Sequence, residues 1–524
     1  LRFLLPSARD ILFVLLFASI LVGPLSNRPL GDADIGWHIR TGELILQTHS
    51  IPHADPFSAS MAGRPWFAWE WLYDLLLGFI HRIGGLNAVV WLCALVVATT
   101  FTALLRLQLA NGTGLLLAVV LTLLTFGAAA IHLFARPHIV SWLFSLEWFA
   151  ALDRWETSRS QDRLPRSLPL AFPLSMIVWV NVHGGWTFGL AILGIFALAA
   201  WIDAVRTGDD FAAIDARKRA RALGRVFAWS ALATLVNPYG WRLHLHIYQY
   251  LGNRYLMNRI EEFRSPDFHG WSERCFGVLL ILLVGALAAR RRPVKISHLL
   301  AALLAVYAGF YSSRNLPVSS MLLALMLGPI LWETFSEMAN SSGAWHPVRN
   351  SVARIVSLAE RMAMQERQFR GSLWPLLVVV IAAAICLHGG WVGSRHLINS
   401  HFDEQKLPVA AVEFLDQRGD SKPIFSTDSW GGYLIYHWYP ERRVLIDDRH
   451  DFYGTDWIRD YLIMMQCEPA WRDVTEKWQI RTALLPAGAP LANLLRELPQ
   501  KWRIVYEDKV AVVFEKNSAP RPVP

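Results

Sequence analysis

Cysteine is scarce and badly placed for any shared task. Of the four in 524 residues, Cys93, Cys275 and Cys386 lie in apolar runs and only Cys467 lies in a polar stretch. That excludes a disulfide framework and a cysteine metal site, both of which need several cysteines in one polar environment. Internal repeats and low-complexity tracts are absent as well, which excludes solenoids and propellers. Ionisable residues are almost missing from the middle of the apolar runs, where a path across a membrane would need them. What abounds is apolar and aromatic: 54% of residues are hydrophobic, 24 are Trp, and mean hydropathy is +0.30. A chain of this length and composition reads as a polytopic membrane protein. The formal charge of +8 would suggest nucleic acid in a soluble domain. Here the basic residues cluster between apolar runs, as the positive-inside bias requires, so membrane lipids are expected as partners and nucleic acid is not.

Apolar runs of spanning or near-spanning length occur at about 10 to 26, 86 to 106, 113 to 133, 138 to 152, 168 to 182, 186 to 203, 226 to 237, 275 to 290, 297 to 311, 316 to 332 and 374 to 391. No small-residue cleavage pattern follows the first, which reads as a retained anchor. The basic stretches 153–166, 206–225, 289–295 and 333–370 fall on one side if the N-terminus is cytoplasmic. The stretch 66–84 carries Glu70 and Asp74 and is expected to lie along the interface or to re-enter. After about residue 397 the pattern changes: "KPIFST", "RRVLID", "RTALLP", "WRIVYE" and "VAVVFE" read as short strands, with helices between the first several. The expected fold is a polytopic α-helical membrane protein of about 11 to 13 helices over residues 1–396, with an external first loop at 27–84, and an external C-terminal α/β domain over 397–524.

The external side collects the unusual polar residues: Asp32, Asp34, His38, Glu43, His53 and Asp55, then Arg136 and His138, Asn181 and His183, Asn237, Arg242 and His244, and Arg314 and Asn315. Acids beside arginines and histidines suit a substrate with a group to be activated and a phosphate to be held. A carboxylate accepts a nucleophile's proton or binds a divalent cation such as Mg or Mn, while Arg grips phosphate oxygens by paired charged hydrogen bonds. Asp34, with Asp32 second, is the expected base or metal ligand; Arg136, Arg314 and His183 are the expected phosphate residues. Each has a plainer reading. Asp34 could cap a helix starting near Gly36, the arginines could anchor helix ends in headgroups, and His183 could be a turn residue beside two glycines. His244 and His246, two apart, point to different faces of a helix and share no metal. Asp447, Asp448 and Arg449 follow an expected strand, where loop residues meet ligands or close an internal salt-bridge turn.

The segment "GDADIGWHIRTGELILQTHSIPHADPFS" resembles the first loops of bacterial GT-C glycosyltransferases, which use polyprenyl-linked sugars. The whole layout, one spanning helix, an external loop with an acidic pair, a helix bundle and an external C-terminal domain, is similar to that superfamily. The resemblance implies that Asp32 and Asp34 match the acidic pair used for catalysis or metal. "FSTDSWGGYLIYHWYPERRVLIDDRHDFYG" looks like the matching part of oligosaccharyltransferase catalytic subunits, which implies acceptor contacts by Trp430, Tyr433, Asp448 and Arg449. Where that family has Trp-Trp-Asp-Tyr-Gly, this chain has Ser429, Trp430, Gly431, Gly432 and Tyr433. The implied function is sugar or glycan transfer from a polyprenyl phosphate or diphosphate to an acceptor at the periplasmic face of a bacterial inner membrane. The rival is a non-catalytic carrier or flippase of lipid-linked glycans, or a membrane assembly scaffold.

Overall fold

The computed structural model describes residues 4–157, 168–206, 210–290, 292–340, 346–366, 368–369, 373–419 and 423–517; most of the basic stretch 153–166 and parts of the other three lie outside them. Among the described residues there are 20 α-helices and two small sheets. The first helix, Ala8–Leu21, starts at a capping box, with the Ser7 hydroxyl taking the Asp10 backbone N–H and the Asp10 carboxylate taking that of Ser7. Five helical stretches are long and apolar enough to cross a bilayer: Trp71–Ala110, Leu115–His132, Trp186–Arg206, Trp271–Ala289 and Ser313–Asn340. Pro169–Val182, Ile296–Tyr311 and Leu373–Leu387 are shorter apolar helices. Leu170, Trp201, Val205, Ile281, Val284 and Tyr307 stand exposed on these helices, a surface that water would penalise and lipid accepts. The chain is thus built as a multi-pass membrane protein.

The stretch 66–84 divides differently from the expectation. Residues 66–70 are not helical, and the helix that starts at Trp71 continues to Ala110 across a break at Gly84 and Gly85. The part before the break packs on the helix Ile35–Thr48 at a glycine crossing: a Cβ on Gly42 would lie 1.8 Å from the Asp74 carbonyl oxygen. Only glycine permits that approach, and it buries the charged face of the stretch against the first loop.

Near the C-terminus a four-stranded sheet runs in the order Phe425–Ser426, Thr482–Pro486, Ala511–Lys516, Trp502–Glu507, the first pair parallel and the others antiparallel. "RRVLID", expected as a strand, is not part of it. Its Val444 pairs instead with the first loop, accepting from the Ala59 N–H at 2.8 Å and donating to the Phe57 carbonyl at 3.2 Å. Tertiary docking has taken the backbone groups a sheet edge would have used. A second glycine contact fixes the same union: the helix Asp428–Trp438 meets the first loop where a Cβ on Gly432 would lie 2.4 Å from the Ala33 carbonyl oxygen and one on Gly36 2.2 Å from that of Gly432. Gly431 is as tightly placed, with Asp447 Cα 2.4 Å from its would-be Cβ. The "SWGGY" stretch therefore holds Asp34 and Asp448 side by side.

Candidate active site

Asp34 stands immediately before the helix Ile35–Thr48 with helical backbone angles, φ −54° and ψ −31°, and its side chain makes no capping hydrogen bond. Its carboxylate turns instead to Arg136, from the corner before the helix His138–Thr157, with Oδ2 3.0 Å from Nη2. The same guanidinium donates from Nη1 to Asp32 Oδ2 at 2.9 Å and to Glu262 Oε1 at 3.0 Å. Asp32 Oδ1 also takes the Asp34 backbone N–H at 2.9 Å. Asp448 completes the group, each of Asp32, Asp34 and Asp448 placing an oxygen within 4.8 Å of the others. Burial raises the Asp34 carboxyl to about 6, against the pull of Arg136 and with a push from Asp32. Asp448 is raised well above the usual range by burial and by Asp34. Glu262 goes the other way: burial opposes its charge, but Arg136 and Arg314 hold it ionised.

Asp34 Oδ1 and Asp448 Oδ1 are buried without a hydrogen-bond partner. Two facing carboxyl oxygens in that state need a shared proton or a cation, because like charges at this range cannot both stand bare. Hard oxygen donors from three carboxylates, with two orphaned atoms, fit a divalent ion such as Mg or Mn.

On the other side of Arg136 lie Arg314 and His183. Arg314 Nη1 is 3.5 Å from Glu262, and its guanidinium lies over the Phe263 ring at 5.2 Å. His183 Nδ1 takes the Gly185 N–H at 3.0 Å and faces the Ser141 hydroxyl at 2.8 Å, which itself accepts from the Trp179 indole. With Nδ1 an acceptor, the proton of the neutral ring sits on Nε2, and burial together with Arg314 keeps the ring neutral. Nε2–H and Arg314 Nη2 then converge at 3.3 Å, two donors with no acceptor between them. Such a point suits an anion's oxygen.

Two cavities meet at these residues. One, of about 770 Å³, has a mixed polar and apolar wall and is lined by Lys406, Asp428, Trp430, His450, Arg259 and Arg264 among others. The second, of about 410 Å³, is walled by Trp37, Trp66, Trp69, Trp142 and Phe188 and contains Glu70 and His183. Asp34, Arg136, Asp448 and Arg314 line both.

The expected site residues fall into distinct places. Asp32, Asp34, Arg136, Asp448, Arg314 and His183 are brought together. Arg136 has both terminal nitrogens on carboxylates, so in this arrangement it clamps acids where a phosphate clamp was expected. Trp430 lines the larger cavity, its indole N–H held by the Lys406 carbonyl at 2.9 Å. Tyr433 lines neither cavity and is packed against Phe402. Arg449 touches the second cavity, but its charge is spent on Asp447 at 2.7 Å and Asp55 at 2.8 Å. His244 bonds Thr234 and His246 bonds Asp451, so the two histidines do face apart. Asn181 receives the Trp71 indole N–H. Sequence reasoning missed Glu262, Lys406 and the ion pair of Asp428 with His450 at 2.9 Å. Glu70 was visible only as an odd charge in an apolar stretch.

No protein-family model and no curated protein sequence matches the chain. Solved structures do resemble it. The archaeal oligosaccharyltransferase AglB from Archaeoglobus fulgidus, in complex with an inhibitory peptide and a dolichol-phosphate, superposes with a TM-score of 0.54 at 13% identity, over 99% of this chain and 74% of that one. The Archaeoglobus fulgidus oligosaccharyltransferase in complex with Zn and sulfate gives 0.52 at 12% identity, over 97% of this chain and 73% of the other. ArnT from Cupriavidus metallidurans, bound to undecaprenyl phosphate, gives 0.47 at 13% identity, over 96% of each chain. The chain shares the overall fold of the two oligosaccharyltransferase structures. At these identities the likeness establishes architecture, and the chemistry has to be argued from the site.

Proposed function

We propose that the protein is a GT-C-type glycosyltransferase that moves a sugar or glycan from a polyprenyl phosphate or diphosphate to an acceptor at the periplasmic face of a bacterial inner membrane. The observation that carries this reading is the meeting of two cavities at one wall of Asp34, Arg136, Asp448 and Arg314. A transferase must bring two substrates to one set of reacting groups, and a carrier needs no such junction. The structural neighbour AglB, whose complex holds a dolichol-phosphate, supports the donor class. In this reading residues 1–396 form the membrane domain and 397–524 a periplasmic domain, with a cytoplasmic N-terminus.

The aromatic cavity takes the donor at its phosphate end, where Arg314 and His183 Nε2–H donate to the phosphate oxygens. The larger cavity takes the acceptor, with Trp430 as a stacking wall and Lys406 and Asp428 for its polar groups. Asp34 accepts the proton as the acceptor's hydroxyl or amide attacks the anomeric carbon, and the polyprenyl phosphate departs with the bonding pair. A carboxyl near 6 is largely ionised at neutral pH yet basic enough to take a proton. Arg136 orients Asp34 and Asp32 and offsets their repulsion. In the alternative role Asp32, Asp34 and Asp448 would hold a divalent cation, which when bound supplies positive charge at the site, and Asp34 is then a ligand in place of the base.

The test is transfer from glycosylated undecaprenyl phosphates and diphosphates, isotopically labelled in the sugar, by the purified protein in the presence of membrane acceptors. Label leaving the lipid only with intact Asp34 supports the reading. Transbilayer movement of the lipid in vesicles without any transfer would replace it with the carrier.

A further inference from the structure

Glu70, immediately before the helix Trp71–Ala110, makes no capping bond and is 8% exposed. It lines the aromatic cavity with Arg314 and His183. Among the described residues no hydrogen bond to its carboxyl is formed; His183 Nε2 stands 3.8 Å and His38 Nε2 3.9 Å from its oxygens. Neither ring offers it a positive charge. His38 Nδ1 lies 2.6 Å from Asp74 Oδ1, one proton held between the two, and the buried Nε2 has no hydrogen-bond partner. His183 is neutral by the bonds to its Nδ1. Arg314 and Arg136 favour the ionised acid from farther off, while Asp451 and Asp34 oppose it. A buried carboxylate that receives no hydrogen bond is costly, and the neutral carboxylic acid avoids that cost.

We propose that Glu70 recognises the donor phosphate as a neutral carboxylic acid, giving a hydrogen bond to a phosphate oxygen beside Arg314 and His183. This rests on the reading of the aromatic cavity as the polyprenyl-phosphate site. An ionised acid there would repel the phosphate, whereas a protonated one adds a third donor to the pair already converging. Asp74 and His38 are the positioning residues: Asp74 holds the His38 ring through Nδ1, and the unpartnered Nε2 faces Glu70 at 3.9 Å. Burial, which raises the Glu70 carboxyl to about 7, sets the pH at which the donor is lost.

The experiment measures the affinity of the full-length protein in detergent for undecaprenyl phosphate, a polyprenyl phosphate without sugar, at pH 6, 7 and 8, in the wild type and in Glu70→Gln. Gln keeps an N–H donor and cannot ionise. Comparing the two proteins cancels the titration of the ligand's own phosphate and of the other acids. The ratio of wild-type to variant Kd is expected to rise about tenfold from pH 6 to pH 8, as a group titrating near 7 requires. Glu70→Ala must flatten the pH dependence in the same way, so either variant that folds decides. A ratio constant with pH, with binding intact, overturns the proposal and leaves the donor reading standing. Failure of the wild type to bind undecaprenyl phosphate at any of the three pH values overturns both.

Discussion

Replacing Asp34 by Asn separates a structural acid from a reacting one, because the two roles predict opposite changes in stability. The folded protein raises this carboxyl from 3.8 to about 6, chiefly by burial. A raised carboxyl means that the folded state binds the proton more tightly than the unfolded chain does. Stability is therefore greatest below the unfolded value and falls as pH climbs through the window from about 4 to about 6. Above that window the ionised group costs at most about 3 kcal/mol, two pKa units at about 1.4 kcal/mol each. Asn is nearly the same size, carries no charge and replaces no capping bond, since none is present. Asp34→Asn should thus unfold at the same temperature as the wild type or a higher one at pH 7.5, with the difference vanishing near pH 4, while sugar transfer is abolished. Thermal unfolding across that pH range in chelator-treated detergent solution, beside a transfer assay, gives both readings. A variant that is less stable than the wild type at pH 7.5 would make Asp34 a structural partner of Arg136, and full transfer activity would remove it from the mechanism.

Gly432→Ala would place a methyl 2.4 Å from the Ala33 carbonyl oxygen. It should cost about 1 to 3 kcal/mol and lower transfer by separating Asp34 from Asp448, read as a lower unfolding temperature and faster proteolysis near residue 432. Arg449→Met leaves Asp55 and Asp447 buried without their cation and should destabilise by about 3 to 5 kcal/mol; adding Asp55→Asn and Asp447→Asn should recover much of the loss in a thermal shift measurement. Mg or Mn should raise the unfolding temperature of the wild type and not of Asp448→Asn, because that variant lacks one of the three clustered carboxylates. No shift in either would mean that Asp34 and Asp448 share a proton in place of a metal ion.

Much of the architecture was open to a reader of the sequence. Hydrophobic run length marks helices that must satisfy their own backbone in lipid, a local property that needs no knowledge of neighbours. "RTALLP", "WRIVYE" and "VAVVFE" likewise form strands largely as their composition requires. The acidic pair was conspicuous because polar residues crowd a loop beside lipid. What fell outside such reading depends on approach between distant segments. "RRVLID" has the composition of a strand, yet its backbone bonds the first loop. Tyr433 and Arg449 lie in the stretch expected to meet the acceptor, and packing on Phe402 and pairing with Asp447 and Asp55 spend them elsewhere.

The sequence by itself determined a membrane-embedded helical bundle, strands near its C-terminal end and an unusual set of charges between the apolar runs. Tertiary structure alone decided which of those charges meet. Asp34 and Asp448 lie more than 400 positions apart and are joined because Gly36, Gly431 and Gly432 leave no side chain between two backbones. Glu262 enters the site from a short turn with no motif around it. Ionisation follows from the same contacts: Glu262 is kept charged by two arginines against its burial, and Glu70 is pushed toward neutrality by burial. Burial and pairing belong to the folded arrangement and have no counterpart in the linear order of residues.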